Sequence, residues 1–255
     1  MEKRKILIYI AIICNGQWDE IYDTLHSKDY EVNFDEINRV VDSLDCKVIT
    51  LLDQDYPEQL KTVHKPPTVL FYYGNLSLIQ NYSKCVSIIG SREHSKYGEK
   101  STRNLVKDIC KSKIIVSGLA IGIDSISHEE AINNGGKTVA VLGCGFNKYY
   151  LKSNKELFEN IKKNHLIISE YPPDCDAKPE YFPMRNRLIA GMSPNLIVTE
   201  ASKHSGSLIT VFWALESGRT VFAVPYRNYE NSGCNLLIKE GAILIENSED
   251  FFNNC

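Results

Sequence analysis

Nine short apolar runs, separated by segments long enough to form a helix, limit what this chain can fold into more than any other feature of its sequence. Most of these runs are continuously apolar instead of alternating with polar residues. This pattern is typical of strands that are covered on both faces in a parallel sheet. The predicted strands lie at residues 47–52, 68–73, 85–89, 114–117, 138–142, 166–169, 196–199, 220–224 and 243–245.

The segments between the runs have the length of helices, and glycines fall where those helices should end. The predicted helices lie at residues 97–110, 123–133, 154–163, 208–217 and 234–240. Repeated strand and helix units predict an α/β fold with an open, doubly wound, mostly parallel sheet. Such a sheet binds its ligands where strands end and helices begin. Functional residues are therefore expected in the loops that follow the strands.

The length of 255 residues suits one large domain with a small appendage. Residues 1–65 show helical spacing of apolar side chains and are predicted to form a small helical region, and residues 66–255 are predicted to form the α/β domain. The apolar run at residues 6–14 follows three basic residues, as in a secretion signal, but no small-residue cleavage site follows it. A buried first helix or strand is therefore expected. No apolar run reaches about 18 residues, so no membrane span is predicted.

The net charge limits the kind of nucleic-acid site that this chain can have, and the cysteines indicate the compartment in which it works. Lys and Arg number 29 against 32 Asp and Glu, a formal net charge of -3, so any nucleic-acid site must be a local basic patch. The eight cysteines form no Cys-x-x-Cys pair and several lie inside apolar runs, which predicts free thiols in a reducing, cytoplasmic compartment. No ligand cluster indicates a metal or a cofactor, and we expect neither.

The loop Gly90-Ser91-Arg92 directly follows the third predicted strand. Glycine permits a tight turn, and arginine supplies a planar group of five donors that suits a phosphate. The alternative interpretation is an ordinary turn with a solvated arginine. From the residues alone both interpretations stay open.

The loop at residues 117–124 contains two glycines and opens a helix, so it would present backbone amides to an anion. Asp124 and His128 lie four residues apart and therefore on one helical face. They could form a catalytic dyad or half of a metal site, but a structural hydrogen bond is the favoured interpretation, because aspartates at helix starts usually accept backbone amides.

Basic and aromatic residues follow two further strands. After the glycine-containing loop at residues 143–148, which lacks the third glycine of a dinucleotide fingerprint, come Tyr149, Tyr150 and Lys152. A segment at residues 181–187, Y-F-P-M-R-N-R, combines aromatic rings with two arginines and an amide, as base stacking and phosphate neutralisation require. On a helix, two residues that are two apart point in nearly opposite directions, so one arginine would face the ligand and the other would form a structural ion pair.

The segment at residues 200–207 contains glutamate, histidine and serine, as a hydrolase loop does, but it lacks Gly-x-Ser-x-Gly. We favour a phosphate cradle at a helix start, formed by Ser205, Gly206 and Ser207.

Taken together, these motifs resemble the DNA-processing protein A family, called DprA or Smf. The resemblance rests on G-S-R at residue 90, S-G-L-A-x-G-I-D-x-x-x-H at 117, V-A-V-L-G at 139, S-E-Y-P-P at 169, F-P-x-R-N-R at 182, E-A-x-x-x-S-G-S-L-I-T at 200 and A-V-P at 223. It extends from about residue 48 to residues 241–242.

The resemblance implies a Rossmann-like protein without catalytic activity that binds single-stranded DNA, protects incoming strands during natural transformation and helps to load the RecA recombinase, as a homodimer. It implies that the residues of the site are Ser91, Arg92, Gly118, Gly122, Lys152, Phe182, Arg185 and Asn186, the two glycines shaping a phosphate pocket. Leu151 and Tyr226 depart from the proline and glycine that are usual in the family. The amino-terminal region matches the family's sterile-alpha-motif-like domain only weakly, and the winged-helix tail of some members is expected to be missing.

The resulting hypothesis is a local cleft in which cations and helix-start amides hold successive phosphates while Phe182 or a nearby tyrosine stacks on a base. Two alternatives remain. The first is a nucleoside-phosphate hydrolase of the lysine-decarboxylase-like group, which would use Glu200. The second is a module that senses a small nucleotide.

Overall fold

The computed structural model describes residues 2–27, 33–149, 152–227 and 232–255, and for Lys152 the backbone alone. Within these residues the chain forms a nine-stranded sheet. The strands are β1 Lys47–Thr50, β2 Val69–Gly74, β3 Cys85–Gly90, β4 Ile114–Ser117, β5 Thr138–Leu142, β6 Leu166–Ser169, β7 Asn195–Glu200, β8 Thr220–Ala223 and β9 Ile243–Leu244. All nine predicted strands are present, with ends that differ by up to two residues.

The strand order is β1-β2-β6-β5-β4-β3-β7-β8-β9. The strands from β6 to β9 in that order run parallel, whereas β1 and β2 pair antiparallel with each other and β2 pairs antiparallel with β6. The predicted α/β fold with a doubly wound, mostly parallel sheet is therefore confirmed. The chain moves outward from β3 through β4 in one direction and from β7 through β8 in the other. The crevice of such a sheet opens at the carboxyl ends of β3 and β7.

Helices cover both faces of the sheet. They are α1 Glu2–Ile13, α2 Trp18–Ser27, α3 Phe34–Asp42, α4 Lys96–Ile109, α5 Ile123–Asn133, α6 Lys155–Asn164, α7 Tyr181–Gly191, α8 Ser207–Glu216, α9 Gly233–Lys239 and α10 Ser248–Phe252. Within β3, Val86 and Ile88 belong to one apolar cluster and Cys85 and Ile89 to another on the opposite face. This two-sided burial explains why the strand is continuously apolar.

The first apolar run forms α1, whose side chains Leu7 and Ile8 are buried. Two of the three basic residues before the run form ion pairs, since Arg4 Nε lies 2.8 Å from Asp53 Oδ1 and Lys5 Nζ lies 2.9 Å from an oxygen of Asp42.

Helix α1 contacts both β1 and β2, and β1 itself precedes residue 66. The sheet therefore begins inside the amino-terminal region, while the division of the chain at residue 65 stays a prediction. Seven of the eight cysteines are buried as free thiols, and Cys255 is exposed. Among the helices of the described ranges, none combines the length and the apolar character needed to cross a membrane.

Candidate functional site

A cleft of about 630 Å³ lies at the carboxyl ends of β3 and β7, where the strand order reverses. It brings together five of the eight predicted site residues, although they come from a loop and a helix that are far apart in the chain. These are Ser91, Arg92, Phe182, Arg185 and Asn186. Ser205, Gly206 and Ser207 line the opposite wall. Loops that follow several strands therefore meet at one edge of the sheet, as the sequence predicts.

Arg92 is exposed and carries the accessible positive charge of the cleft. Its guanidinium carbon lies 5.8 Å from the centre of the Phe182 ring, within the range of a cation–π contact. The Ser91 hydroxyl donates to the Glu93 carbonyl at 2.9 Å, and the Ile123 amide donates to the Ser91 carbonyl at 3.1 Å. These two bonds hold the turn that presents Arg92 against the start of α5.

Two glycines let the backbone approach this turn. Gly122 has φ +87°, and a Cβ atom at this position would collide with the backbone of Ser91 and Arg92. A Cβ atom on Gly118 would lie 2.7 Å from the Arg185 guanidinium carbon. Both positions therefore require glycine if the loops are to keep their present contact.

Arg185 forms the floor of the cleft and is only 4% exposed. Its Nη1 donates to the Gly118 carbonyl at 2.7 Å and to the Val141 carbonyl, and its Nε donates to Asn186 Oδ1 at 3.1 Å. The guanidinium group therefore connects α7, β5 and the loop after β4. Its positive charge lies beneath the cleft, in contrast to the exposed charge of Arg92.

Arg187 points away from the cleft. Its Nη1 and Nη2 each lie 2.6 Å from an oxygen of Glu170, and Nη2 also donates to the Lys65 carbonyl at 2.7 Å. The side chain is 1% exposed. The structure thus separates the two arginines as the sequence predicts, with Arg187 in a structural ion pair.

Asp124 lies in the first turn of α5, where its side chain is buried. Burial raises the pKa of its carboxyl group, and the positive charge of Arg185 and hydrogen bonds from the backbone of Ala120 and Gly118 act in the opposite direction. Part of the loop backbone that was expected to face an anion therefore lies against the buried carboxyl group of this aspartate.

His128 has a structural partner that is not Asp124. Its Nδ1 lies 2.6 Å from the Thr138 hydroxyl, which itself donates to the Ile115 carbonyl at 2.9 Å. The hydroxyl must therefore accept, so Nδ1 carries the proton. Among the described residues no group of three or more His, Cys, Asp or Glu side chains is placed to hold a metal ion. These contacts fit structural roles for Asp124 and His128 better than a catalytic dyad or half of a metal site.

Lowering the pH is expected to destabilise the protein through His128. Burial lowers the pKa of this imidazole from 6.5 to about 3. Below pH 6.5 the unfolded chain then binds the additional proton, so the contribution of neutral His128 is complete above pH 6.5 and is lost as the pH falls towards 3. The loss from this residue is about 2 kcal/mol by about pH 5.

Urea unfolding at about pH 7.5 and about pH 5 measures this effect. The control is His128→Asn, whose amide can still donate to Thr138 but does not titrate. We expect this variant to lose less stability on acidification than the wild type, by about 2 kcal/mol. The same loss in both proteins would contradict the assignment.

Glu200 caps the first turn of α4. Its carboxylate accepts hydrogen bonds from the Ser95 amide at 3.0 and 3.1 Å and from the Ser95 hydroxyl at 3.1 Å. In the cleft the Ser207 hydroxyl donates to the Gly90 carbonyl at 2.7 Å. Both side chains therefore stabilise the loops that form the cleft walls.

The remaining predicted cations and aromatic rings lie beyond the cleft or outside the described residues. Tyr149 stacks on Phe158 with the ring centres 4.7 Å apart, and its hydroxyl donates to the Leu119 carbonyl at 2.9 Å. The side chain of Lys152 and the whole of Tyr150 lie outside the described residues.

The sequence interpretation missed a second, smaller pocket beside the cleft. It contains Tyr226 and shares Ser91, Glu93 and Ser202 with the main cleft. The signal in the sequence was the aromatic residue that follows Ala223-Val224-Pro225.

The chain is similar in sequence to DNA-processing proteins. A family model described as DNA recombination-mediator protein A matches residues 47–255. The DNA processing protein DprA of Streptococcus pneumoniae is 44% identical over 203 residues, which are 79% of this chain and 71% of that protein.

Two solved structures share the fold. The X-ray structure of DNA processing protein A from Streptococcus pneumoniae superposes with a TM-score of 0.82 at 37% identity, covering 92% of this chain and 80% of that one. A structure of the Helicobacter pylori protein, which concerns its single-stranded DNA binding mode, superposes with a TM-score of 0.73 at 31% identity, covering 81% and 94%.

Proposed function

This chain belongs to the DNA recombination-mediator protein A family, and from this premise we propose that it binds single-stranded DNA in the cleft at the carboxyl ends of β3 and β7. Family membership supports a DNA-processing role in recombination. The Helicobacter pylori relative, whose structure concerns binding of single-stranded DNA, supports the choice of ligand. The proposed contacts come from Ser91, Arg92, Phe182, Asn186 and Lys152. Arg185, Gly118 and Gly122 form the floor and the adjoining loop.

One observation carries this proposal: an exposed guanidinium group lies against an aromatic ring inside the cleft. The Arg92 guanidinium carbon and the Phe182 ring centre are 5.8 Å apart. A cation binds the phosphate that every nucleotide carries, and a ring face stacks on any base. The overall net charge is -3, so this local arrangement must supply the attraction. Sequence preference should accordingly be weak.

The finer function that we propose is protection of incoming single strands and loading of RecA during natural transformation. Family resemblance is the support for RecA as a partner and for a homodimer. In a dimer, two clefts on one strand would raise the effective concentration of each for its DNA segment. We place this function in the cytoplasm, which agrees with seven buried free thiols. We propose a binding protein, without catalysis of its own.

The alternative of a nucleoside-phosphate hydrolase depends on Glu200. This carboxylate accepts three hydrogen bonds from Ser95, which favours a structural role. Incubation with nucleoside monophosphates should therefore release no free base. Release of base that is lost in Glu200→Gln would replace our proposal with the hydrolase.

Titration of labelled single-stranded and double-stranded oligonucleotides at two salt concentrations tests the proposed function. We expect the single strand to bind more tightly, and the binding constant to fall with salt by a slope of about 0.7 for each phosphate contacted. Equal or tighter binding of the duplex would contradict the proposal. Binding of a mononucleotide without affinity for oligonucleotides would favour the nucleotide-sensing alternative.

A further inference from the structure

A pocket of about 220 Å³ lies next to the main cleft. Ser91, Glu93 and Ser202 line both cavities and form the boundary between them. The far wall of the small pocket contains Tyr226. A strand of nucleotides held at Arg92 in the cleft therefore has a second cavity directly beside it.

The Tyr226 ring is held in place before any ligand binds. The Tyr226 amide donates to Asn235 Oδ1 and the Asn235 amide donates back to the Tyr226 carbonyl, both at 2.9 Å. The Tyr97 ring packs against Tyr226 with centres 5.4 Å apart and planes at 70°, and the Tyr97 hydroxyl donates to the Pro225 carbonyl at 2.9 Å. An aromatic side chain fixed in this way loses little conformational entropy when a ligand stacks on it.

Among the described residues no cationic side chain lines the small pocket, whereas Arg92 and Arg185 line the cleft. Glu93 lies on the boundary that both cavities share, Glu200 lines the small pocket alone, and carboxylates oppose the entry of a phosphate. A nucleobase carries no charge and offers a ring face to tyrosine. The volume is also below the range of about 300–1,000 Å³ that is common for small-molecule pockets, which suits a single ring system.

We propose that this pocket is a second nucleobase subsite in which a base stacks on Tyr226 while the neighbouring phosphate stays at Arg92. The proposal rests on single-strand binding in the cleft. In this arrangement the cleft binds the phosphate, and the acidic, aromatic pocket binds the base.

The test is an abasic scan of a short oligonucleotide with the whole protein. Each position is replaced in turn by an abasic unit, which removes the base and keeps the phosphate. In the wild type we expect two sensitive positions, one for Phe182 and one for Tyr226. Tyr226→Gly should weaken binding of the intact oligonucleotide roughly 5- to 100-fold, the range for loss of one stacked base. The same variant should become insensitive to the abasic unit at one of the two positions.

Three further variants make the result specific. Tyr226→Phe keeps the ring and should bind like the wild type, whereas Tyr226→Leu keeps side-chain bulk without a ring and should behave like Tyr226→Gly. Phe212→Ala removes an aromatic side chain that is 53% exposed on α8 and does not line either pocket, and it should change nothing. The salt dependence should be the same in all of them, because no phosphate contact is lost.

The outcomes separate this inference from the proposed function. Wild-type affinity of Tyr226→Gly and Tyr226→Leu, or an equal loss at every abasic position, would overturn the subsite and leave binding in the cleft intact. A wild-type protein that binds no single strand would overturn both proposals. Circular dichroism of each variant identifies any loss of binding that comes from unfolding. If Tyr226→Gly does not fold, the affinity of Tyr226→Leu tests the subsite in its place.

Discussion

Glu170→Ala is expected to destabilise the protein by about 3–5 kcal/mol, because it leaves the buried guanidinium group of Arg187 without its counter-charge. The Arg187 side chain is 1% exposed and that of Glu170 is 7% exposed. Two hydrogen bonds of 2.6 Å join the two side chains. Because both side chains are buried, water cannot solvate the arginine once the carboxylate is removed. Urea unfolding followed by circular dichroism measures the change in the free energy of unfolding.

Two further variants isolate the cause. Glu58→Ala breaks the exposed ion pair with Lys61 and should cost less than about 1 kcal/mol. The double variant Glu170→Leu with Arg187→Met removes both charges and should recover much of the lost stability. Stability of Glu170→Ala within about 1 kcal/mol of the wild type would contradict the importance of this pair.

The strands were predictable because burial on both faces leaves a direct trace in the sequence. Strands β4, β5 and β6 have the predicted residues, and each is a short apolar run covered by helices on both sides. The direction of a strand leaves no such trace. Strand β1 pairs antiparallel with β2, and β2 pairs antiparallel with β6. The apolar pattern of these strands would be the same in parallel pairing.

The location of the site was predictable because the carboxyl ends of parallel strands meet at one edge. The state of each side chain was not, because it depends on partners far away in the chain. Glu200 binds Ser95, 105 residues away, and Arg185 binds Gly118, 67 residues away. Residue type alone therefore could not separate the buried Arg185 from the exposed Arg92.

The same reasoning explains why the loop at residues 117–124 differs from its prediction. A glycine-containing loop before a helix usually offers its amides to an anion. Here the backbone of Gly118 and Ala120 lies against the buried carboxyl group of Asp124. The proposed binding of phosphate then relies more heavily on Arg92 and on the side chains of α7.

Arg92→Ala is therefore expected to weaken binding of all single strands alike, by roughly 10- to 100-fold at low salt, as expected for the loss of a charged hydrogen bond. The slope of the binding constant against salt should fall by about 0.7 for each phosphate contact that is lost. Anisotropy titrations of several unrelated sequences at four or more salt concentrations measure both quantities.

The matched controls distinguish the charge of Arg92 from its shape and from charge elsewhere. Arg92→Lys keeps the positive charge and should keep the salt slope, while losing part of the affinity because an ammonium group lacks the planar donors of arginine. Arg39→Ala removes an exposed arginine from α3, outside the cleft, and should leave both affinity and slope close to the wild type. If Arg92→Ala keeps the wild-type slope, no phosphate is bound by this guanidinium group, and the main source of attraction must lie outside the cleft at the carboxyl ends of β3 and β7.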